Sequence, residues 1–210
     1  MRDAYIVTSI RTPGCRRAKG AFKDTRPEDL LSFILSTAVE KTENLDKKDV
    51  EDVMVGCSFP EAEQGLNIGR VASQMAGFPE ETTGATVNRF CSSGLEAIAL
   101  AAWSDIVIGS GLESMTYVPM GGNLPRPHPE FMRRGAQVYT SMGITAENVA
   151  NRYNITRQEQ DEFAYQSQMK AAEARKKGLF KELVPTPATR FVVQEDGTFK
   201  SETFLQEFDD

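Results

Sequence analysis

Four residues in a row carry the chemistry that this chain offers most plainly: Cys91, Ser92, Ser93 and Gly94. They stand where a strand-like segment (residues 82–88) gives way to a helical one. A thiol at that junction lies near backbone N–H groups that have no helical partner, and those amides with the helix dipole favour a thiolate. The small residues behind it let a substrate approach the backbone closely. Cys91 is therefore a candidate nucleophile for covalent catalysis. The same pattern fits a packed structural thiol, since free cysteine is among the most buried residue types. On the residues alone both readings stand.

Other reactive types are sparse. Cys57 follows a short apolar strand and reads as a packed thiol. Cys15 lies in a basic loop with no base beside it. His128, between Pro127 and Pro129, is the single histidine of the chain and reads as a surface residue of a loop. Arg133 and Arg134 could meet phosphates, but read first as a solvated pair. One histidine and three scattered cysteines indicate no metal site. Gly109-Ser110-Gly111 lacks the third glycine of a dinucleotide fingerprint.

The elements that must hold these residues follow from periodicity. Tyr5-Ile6-Val7-Thr8-Ser9-Ile10 is rich in β-branched residues and runs into Arg11-Thr12-Pro13-Gly14, which predicts a first strand and a turn. A basic loop spans 15–23. Pro27 with Glu28 and Asp29 opens a helix whose apolar stripe is Leu30, Leu31, Ile34, Leu35 and Ala38. A strand is expected at 53–56, a helix over 66–75 stopped by Gly77 and Pro79, and a strand at 82–88. The helix after Cys91 carries Leu95, Ile98, Leu100 and alanines on every side, which predicts burial all round. A strand at 105–109 follows. Alternating strands and helices imply an α/β class with a largely parallel sheet.

From Pro119 to about Gly143 the chain is rich in Gly, Pro and Arg and reads as an excursion from the sheet. Helices are expected at 146–153 and from Thr156 to Gly178. Thr156 and Glu159 have capping-box spacing there, and Phe163 and Met169 could pack inward. The tail mixes short strand-like pieces such as 191–193 with acidic residues.

Composition sets the outer bounds. With 210 residues, 40% hydrophobic and 26% charged, the chain can bury a core as one domain, or one domain with a sizeable insertion. A net charge of −6 disfavours a broad nucleic-acid surface, and an anionic ligand would need local positive potential or helix N-termini. No long apolar run predicts membrane insertion. Odd, unframed cysteines point to a reducing compartment, and the start at Met1 and Arg2, with no apolar leader, to the cytoplasm.

Val87-Asn88-Arg89-Phe90-Cys91-Ser92-Ser93-Gly94-Leu95-Glu96-Ala97 resembles the active-cysteine signature of thiolases. Arg11-Thr12-Pro13, Gly56-Cys57 with the run from Pro60 to Asn67, and Gly111-Leu112-Glu113-Ser114-Met115 resemble further thiolase motifs in the family's order. Met142-Gly143, Thr145 to Ala150 and Arg157 to Ala164 resemble its loop domain. The resemblance implies a layered α-β-α-β-α fold made of two similar halves. Residues 1–118 would be most of the N-terminal half and 119–210 an incomplete loop domain, with the C-terminal half absent.

The activity implied is acyl transfer, acetyl-CoA C-acyltransferase in type, with acyl-CoA and coenzyme A as substrates and no separate cofactor. Cys91 would attack the 3-keto carbon of a 3-ketoacyl-CoA and carry the acyl group, its N–H donating to an oxyanion. Ser141 and Met142 would line the pantetheine and acyl channel. Ser141, together with Gly20-Ala21-Phe22 and Thr25-Arg26-Pro27, resembles the degradative, longer-chain branch, β-oxidation. A homodimer or homotetramer is implied by the family alone.

Two departures qualify the expectation. The family's base, in a Gly-His-Pro motif, and its second cysteine, in a Cys-x-Gly-Gly-Gly motif, have no counterpart here, so the 210-residue chain alone is expected to be inactive. The connection Ala101-Ala102-Trp103-Ser104-Asp105 is also about two helical turns shorter than the family's, so either the helix after Cys91 packs differently or the sequence as given omits residues there. Two other readings stay in view: a non-catalytic module that binds coenzyme A or mediates oligomerisation, and a ketoacyl synthase. Asn88-Arg89 and Glu113-Ser114-Met115 disfavour the second.

Overall fold

The element order of a computed structural model, which describes residues 3–135 and 137–210, is α1 (Pro27–Glu40), β1 (Asp52–Gly56), α2 (Ile68–Met75), β2 (Thr83–Val87), α3 (Ser93–Ala101), β3 (Val107–Gly111), α4 (Pro129–Arg133), α5 (Met142–Tyr153), α6 (Arg157–Lys176), β4 (Thr186–Val193) and β5 (Phe199–Gln206). Met1 and Arg2 of the expected start, and Ala136 of the excursion, lie outside the described residues. The chain divides into two compact units, Met1–Asn123 with Glu182–Asp210, and Leu124–Lys181. This differs from the division at 118/119: the tail from Glu182 belongs with the first unit, because its backbone and carboxylates bond there.

The first unit is built on a parallel sheet of order β2-β1-β3, as the alternation of strands and helices predicts. Its register places Gly56 opposite both Val87 and Gly111, so all three strands end at one level. The two faces follow from the period of two. Val53 and Val55 point into a core with Leu31, Leu35 and Val39 of α1 and Ile68 and Ala72 of α2. Gly56 and Gly109 face α3. A Cβ on Gly109 would lie 2.8 Å from the Ile98 Cα, and one on Gly56 would run into the Ser93 backbone. Glycine at these two positions lets α3 lie directly on the sheet. Helices therefore cover both faces.

Helix α1 begins at Pro27 with Glu28 and Asp29 in its first turn and buries Leu31, Leu35 and Val39. The helix entry is the one expected, and of the expected stripe Leu31 and Leu35 are buried, while Val39 joins them from outside it. Its Leu30, Ile34 and Ala38 are half-buried.

Three expectations are corrected. Residues 5–10 form no strand: they carry no regular structure, and Tyr5, Ile6 and Val7 are all more than three-quarters exposed. β-branched composition favours an extended backbone, but a strand also needs a ladder partner, and the described sheet offers this segment none. Arg11 alone makes an isolated bridge, to Leu183. Helix α3 is not buried all round. Ser93 and Ala97 are buried, whereas Leu95 is 71% exposed and Ile98 lies open beside it. The sheet covers one side of the helix, and none of the described residues of its unit covers the other. Phe163 and Met169 of α6 are exposed as well, and α6 has no buried residue.

The remaining tail is more ordered than its composition suggests. β4 and β5 form an antiparallel hairpin over their full lengths, with Arg190 and Glu202 paired directly across it at 3.0 Å. Beyond it, Asp209 takes Arg11 in a two-pronged pair at 2.7 and 3.2 Å, and Asp210 accepts from the amides of Arg16 and Ala21. The tail thus clasps the basic loop that precedes α1.

The second unit contains α4, α5 and α6. Its best-defined feature is the capping box at the start of α6. The Thr156 amide donates to Glu159 at 2.7 Å, and the Thr156 hydroxyl accepts from the Glu159 amide at 3.3 Å. Gly178, in the left-handed region, follows the end of the helix, where the sequence predicted the stop.

Candidate active site

Because the three parallel strands end level, the segments that follow them share one edge of the sheet. Open α/β sheets bind ligands outside the carboxyl ends of their strands. From β1 comes Cys57-Ser58-Phe59, from β2 Asn88-Arg89-Phe90-Cys91, and from β3 Leu112-Glu113-Ser114. Backbone bonds tie them together: the Cys57 amide donates to the Val87 carbonyl and the Leu112 amide to that of Gly56.

The β2 exit is a tight turn. Phe90 has a φ of +47°, uncommon for a bulky side chain, and a set of bonds holds it there. Its amide donates to Asn88 Oδ1 at 2.9 Å. Its carbonyl accepts from the Ser93 amide and the Ser93 hydroxyl at 3.0 and 2.6 Å. Ser93 Oγ in turn accepts from the Arg89 amide. Arg89 reaches Glu96 of α3 at 3.0 Å, and the Phe90 ring lies 6.0 Å from that of Phe59. The turn delivers Cys91 to the residue before the N-cap Ser92 of α3, and leaves it exposed. Beyond it, Gly94 leaves open space where a side chain would stand.

The other two cysteines differ. Cys57 is buried, and its thiol is pushed up to about 12 by that burial and by the nearby charge of Glu113. Cys15 is half-buried, and loss of solvent with the charge of Asp210 pushes it up to about 11. Both oppose a thiolate. His128 stands ahead of α4 with its ring edge-on to Phe131. Arg133 and Arg134 both pair with Glu130 at 2.9 Å. Ser141 is the N-cap of α5 and Met142 its exposed first residue. They belong to the second unit and Cys91 to the first. Within the second unit an open cavity of about 350 Å³ is lined by Thr140, Thr145, Asn148, Arg152 and Tyr153 among others, but not by Ser141 or Met142.

Sequence reasoning passed over a polar cluster behind Cys91. Gln64 is fully buried, and its amide donates to Glu113 at 2.9 Å and to the Phe59 carbonyl at 3.1 Å. Buried glutamine is uncommon, but nothing near Gln64 in sequence names its partners.

Comparison with known proteins gives consistent relatives. The family model described as thiolase, N-terminal domain, matches residues 4–209. The 3-ketoacyl-CoA thiolase of Bacillus subtilis is 40% identical over 203 residues, which cover 93% of this chain and 52% of the relative. Peroxisomal 3-ketoacyl-CoA thiolase 2 of Arabidopsis thaliana is 42% identical, over 94% of this chain and 44% of its own length. The crystal structure of the Bacillus anthracis acetyl-CoA acetyltransferase superposes with a TM-score of 0.75 at 30% identity, covering 96% of this chain and 53% of that one. The chain thus spans about half the length of the relatives it matches.

Proposed function

The chain belongs to the thiolase family as its N-terminal domain, and from that premise we propose that it carries the acyl-accepting half of a thiolase-type acyltransferase acting on 3-ketoacyl-CoA. The observation that carries the reading is Cys91 itself: an exposed thiol held by a constrained turn at the start of α3, at the carboxyl edge of the sheet. The Cys91 thiolate attacks the 3-keto carbon, the bond between C2 and C3 breaks, and the electron pair leaves as the enolate of acetyl-CoA, which takes up a proton. The acyl group remains on Sγ as a thioester. The thiolate of free coenzyme A then attacks that thioester, releasing a shortened acyl-CoA and restoring the cysteine. Run backwards, the same steps condense two acyl groups.

Ser141 and Met142, at the start of α5, are the residues we assign to the pantetheine and acyl channel. Coenzyme A is substrate, not cofactor. The degradative direction, β-oxidation in a cytoplasmic setting, and a homo-oligomeric assembly belong to the same reading. Relatives named 3-ketoacyl-CoA thiolases support the direction, and one of them is peroxisomal.

Mass spectrometry after incubation with acetyl-CoA tests the reading. A single acetyl adduct on Cys91, absent from Cys91→Ala, is expected. With one histidine in its 210 residues, the chain should acylate without turning over acetoacetyl-CoA. No adduct together with retained coenzyme A binding would replace the enzyme reading with a binding module.

A further inference from the structure

The turn before Cys91 is wired to all three strand ends. Gln64 Oε1 accepts from the Ser114 amide, and its Nε2 donates to Glu113 Oε1. The other carboxylate oxygen, Glu113 Oε2, accepts from the Ser58 amide at 2.8 Å. The Ser58 carbonyl accepts from Asn88 Nδ2 at 2.9 Å. Asn88 Oδ1 then accepts from the Phe90 amide, also at 2.9 Å. The series starts at the exit of β3, crosses the exit of β1 and ends on the one left-handed residue of the β2 exit. Each link uses a donor and an acceptor of the correct type, and Asn88 uses both ends of one carboxamide.

We infer that Asn88 is a positioning residue for Cys91, and that Glu113 and Gln64 act on the same turn through Ser58 and Asn88. The inference rests on the role proposed for Cys91 and adds the residues that aim it. Left-handed backbone at a bulky residue is held only where its surroundings over-determine it. Without the Asn88 carboxamide, the Phe90 amide loses its acceptor and the β2 exit loses its tie to the β1 exit. The turn can then relax, and Cys91 leaves the position that the turn gives it at the start of α3. Asn88→Asp separates the two functions: it can still accept from Phe90 but can no longer donate to Ser58. Glu113→Gln is nearly isosteric but offers one side-chain oxygen where two N–H groups need acceptors.

The test is the rate of Cys91 alkylation by iodoacetamide in the folded 210-residue chain. It is followed by peptide mass spectrometry from neutral to mildly alkaline pH, with Cys15 as internal reference and thermal melting as a check on folding. Asn88→Ala should slow Cys91 about fivefold to tenfold at neutral pH, the scale of one or two hydrogen bonds, while Cys15 is unchanged. Asn88→Asp should fall between that variant and the parent. Glu113→Gln should slow Cys91 in the parent but have no further effect beside Asn88→Ala or Asn88→Asp, since its path is already cut. An unchanged Cys91 rate in a folded Asn88 variant, or additive effects of the two sites, overturns the inference. If Asn88→Ala does not fold, the Asn88→Asp and Glu113→Gln pair decides alone. Coupled alkylation without any acetyl adduct would leave the positioning role standing and overturn the acyltransferase reading. An adduct with no coupling would do the reverse.

Discussion

Cys57 and Cys91 follow neighbouring strands of one sheet, yet they meet opposite surroundings. The pH behaviour of the fold should register the difference. The Cys57 thiol has an ordinary value of 9.0 and is pushed up to about 12 in the fold, so the native state holds this proton more tightly than the unfolded chain does. The stability linked to it is complete below about 9 and is lost as pH rises towards 12. Denaturant midpoints across that window should fall for the parent, and Cys57→Ala should flatten the fall whatever it does to stability at neutral pH. An equal slope in both proteins would show that this thiol is not the group responsible. At this scale the sequence was legible wherever the cause was local. Cys57 was read as packed from the strand before it, and Thr156 with Glu159 from a spacing of three, whereas the junction at Cys91 left a nucleophile and a packed thiol both open. The bond from Ser58 to Glu113 spans 55 positions, and no window along the chain holds both residues.

Helix α3 connects the site to the sheet, and two glycines near its start ask different things of the structure. A Cβ at Gly56 would meet Ser93 and Gly94 backbone, whereas one at Gly94 would meet open space. Gly56→Ala should therefore cost about 1–3 kcal/mol by forcing the helix off the sheet, while Gly94→Ala should be near neutral for stability. Paired denaturant midpoints measure both, and equal effects would mean that α3 does not rest on β1 as described. The same helix shows why its sequence misleads. Apolar residues on every side of a helix predict burial on every side, but burial is decided by which neighbours are present. Sheet register supplies one face through Gly56 and Gly109, and none of the described residues of the unit supplies the other. The segment 5–10 fails for a related reason, since β-propensity describes a backbone and a ladder requires a second strand.

Across the first unit, the tail holds the beginning of the chain. Thr25 and Thr189 bond reciprocally, the Phe191 amide donates to Asp24, and Asp209 closes on Arg11, whose guanidinium is held further into its charged range by that pair. Asp209→Asn keeps the shape and removes the charge. It should lower stability by about 1 kcal/mol, the size of a charge-assisted bond after discounting for partial exposure, and should quicken Cys15 alkylation as the 15–21 loop loosens. Unchanged Cys15 labelling would show that the clasp is not what shields it. The sequence gives no hint of this clasp, because its two sides are nearly 200 positions apart and each reads alone as an ordinary charged end. The parallel α/β class was legible, because alternating strands and helices leave few other topologies.

The uncovered side of α3 also governs how the polypeptide behaves in a test tube. Leu95, Ile98 and Trp103, the last 85% exposed, and the open Tyr5, Ile6 and Val7 present oily surface to water on a folded, acidic molecule. Surface of that kind takes up hydrophobic dyes without any unfolding and promotes salting-out and adsorption. The net charge of −6 works against clumping at low ionic strength, where it is least screened. Concentrated stocks of this chain should therefore be clearest in dilute, mildly alkaline buffer and cloud on addition of ammonium sulfate.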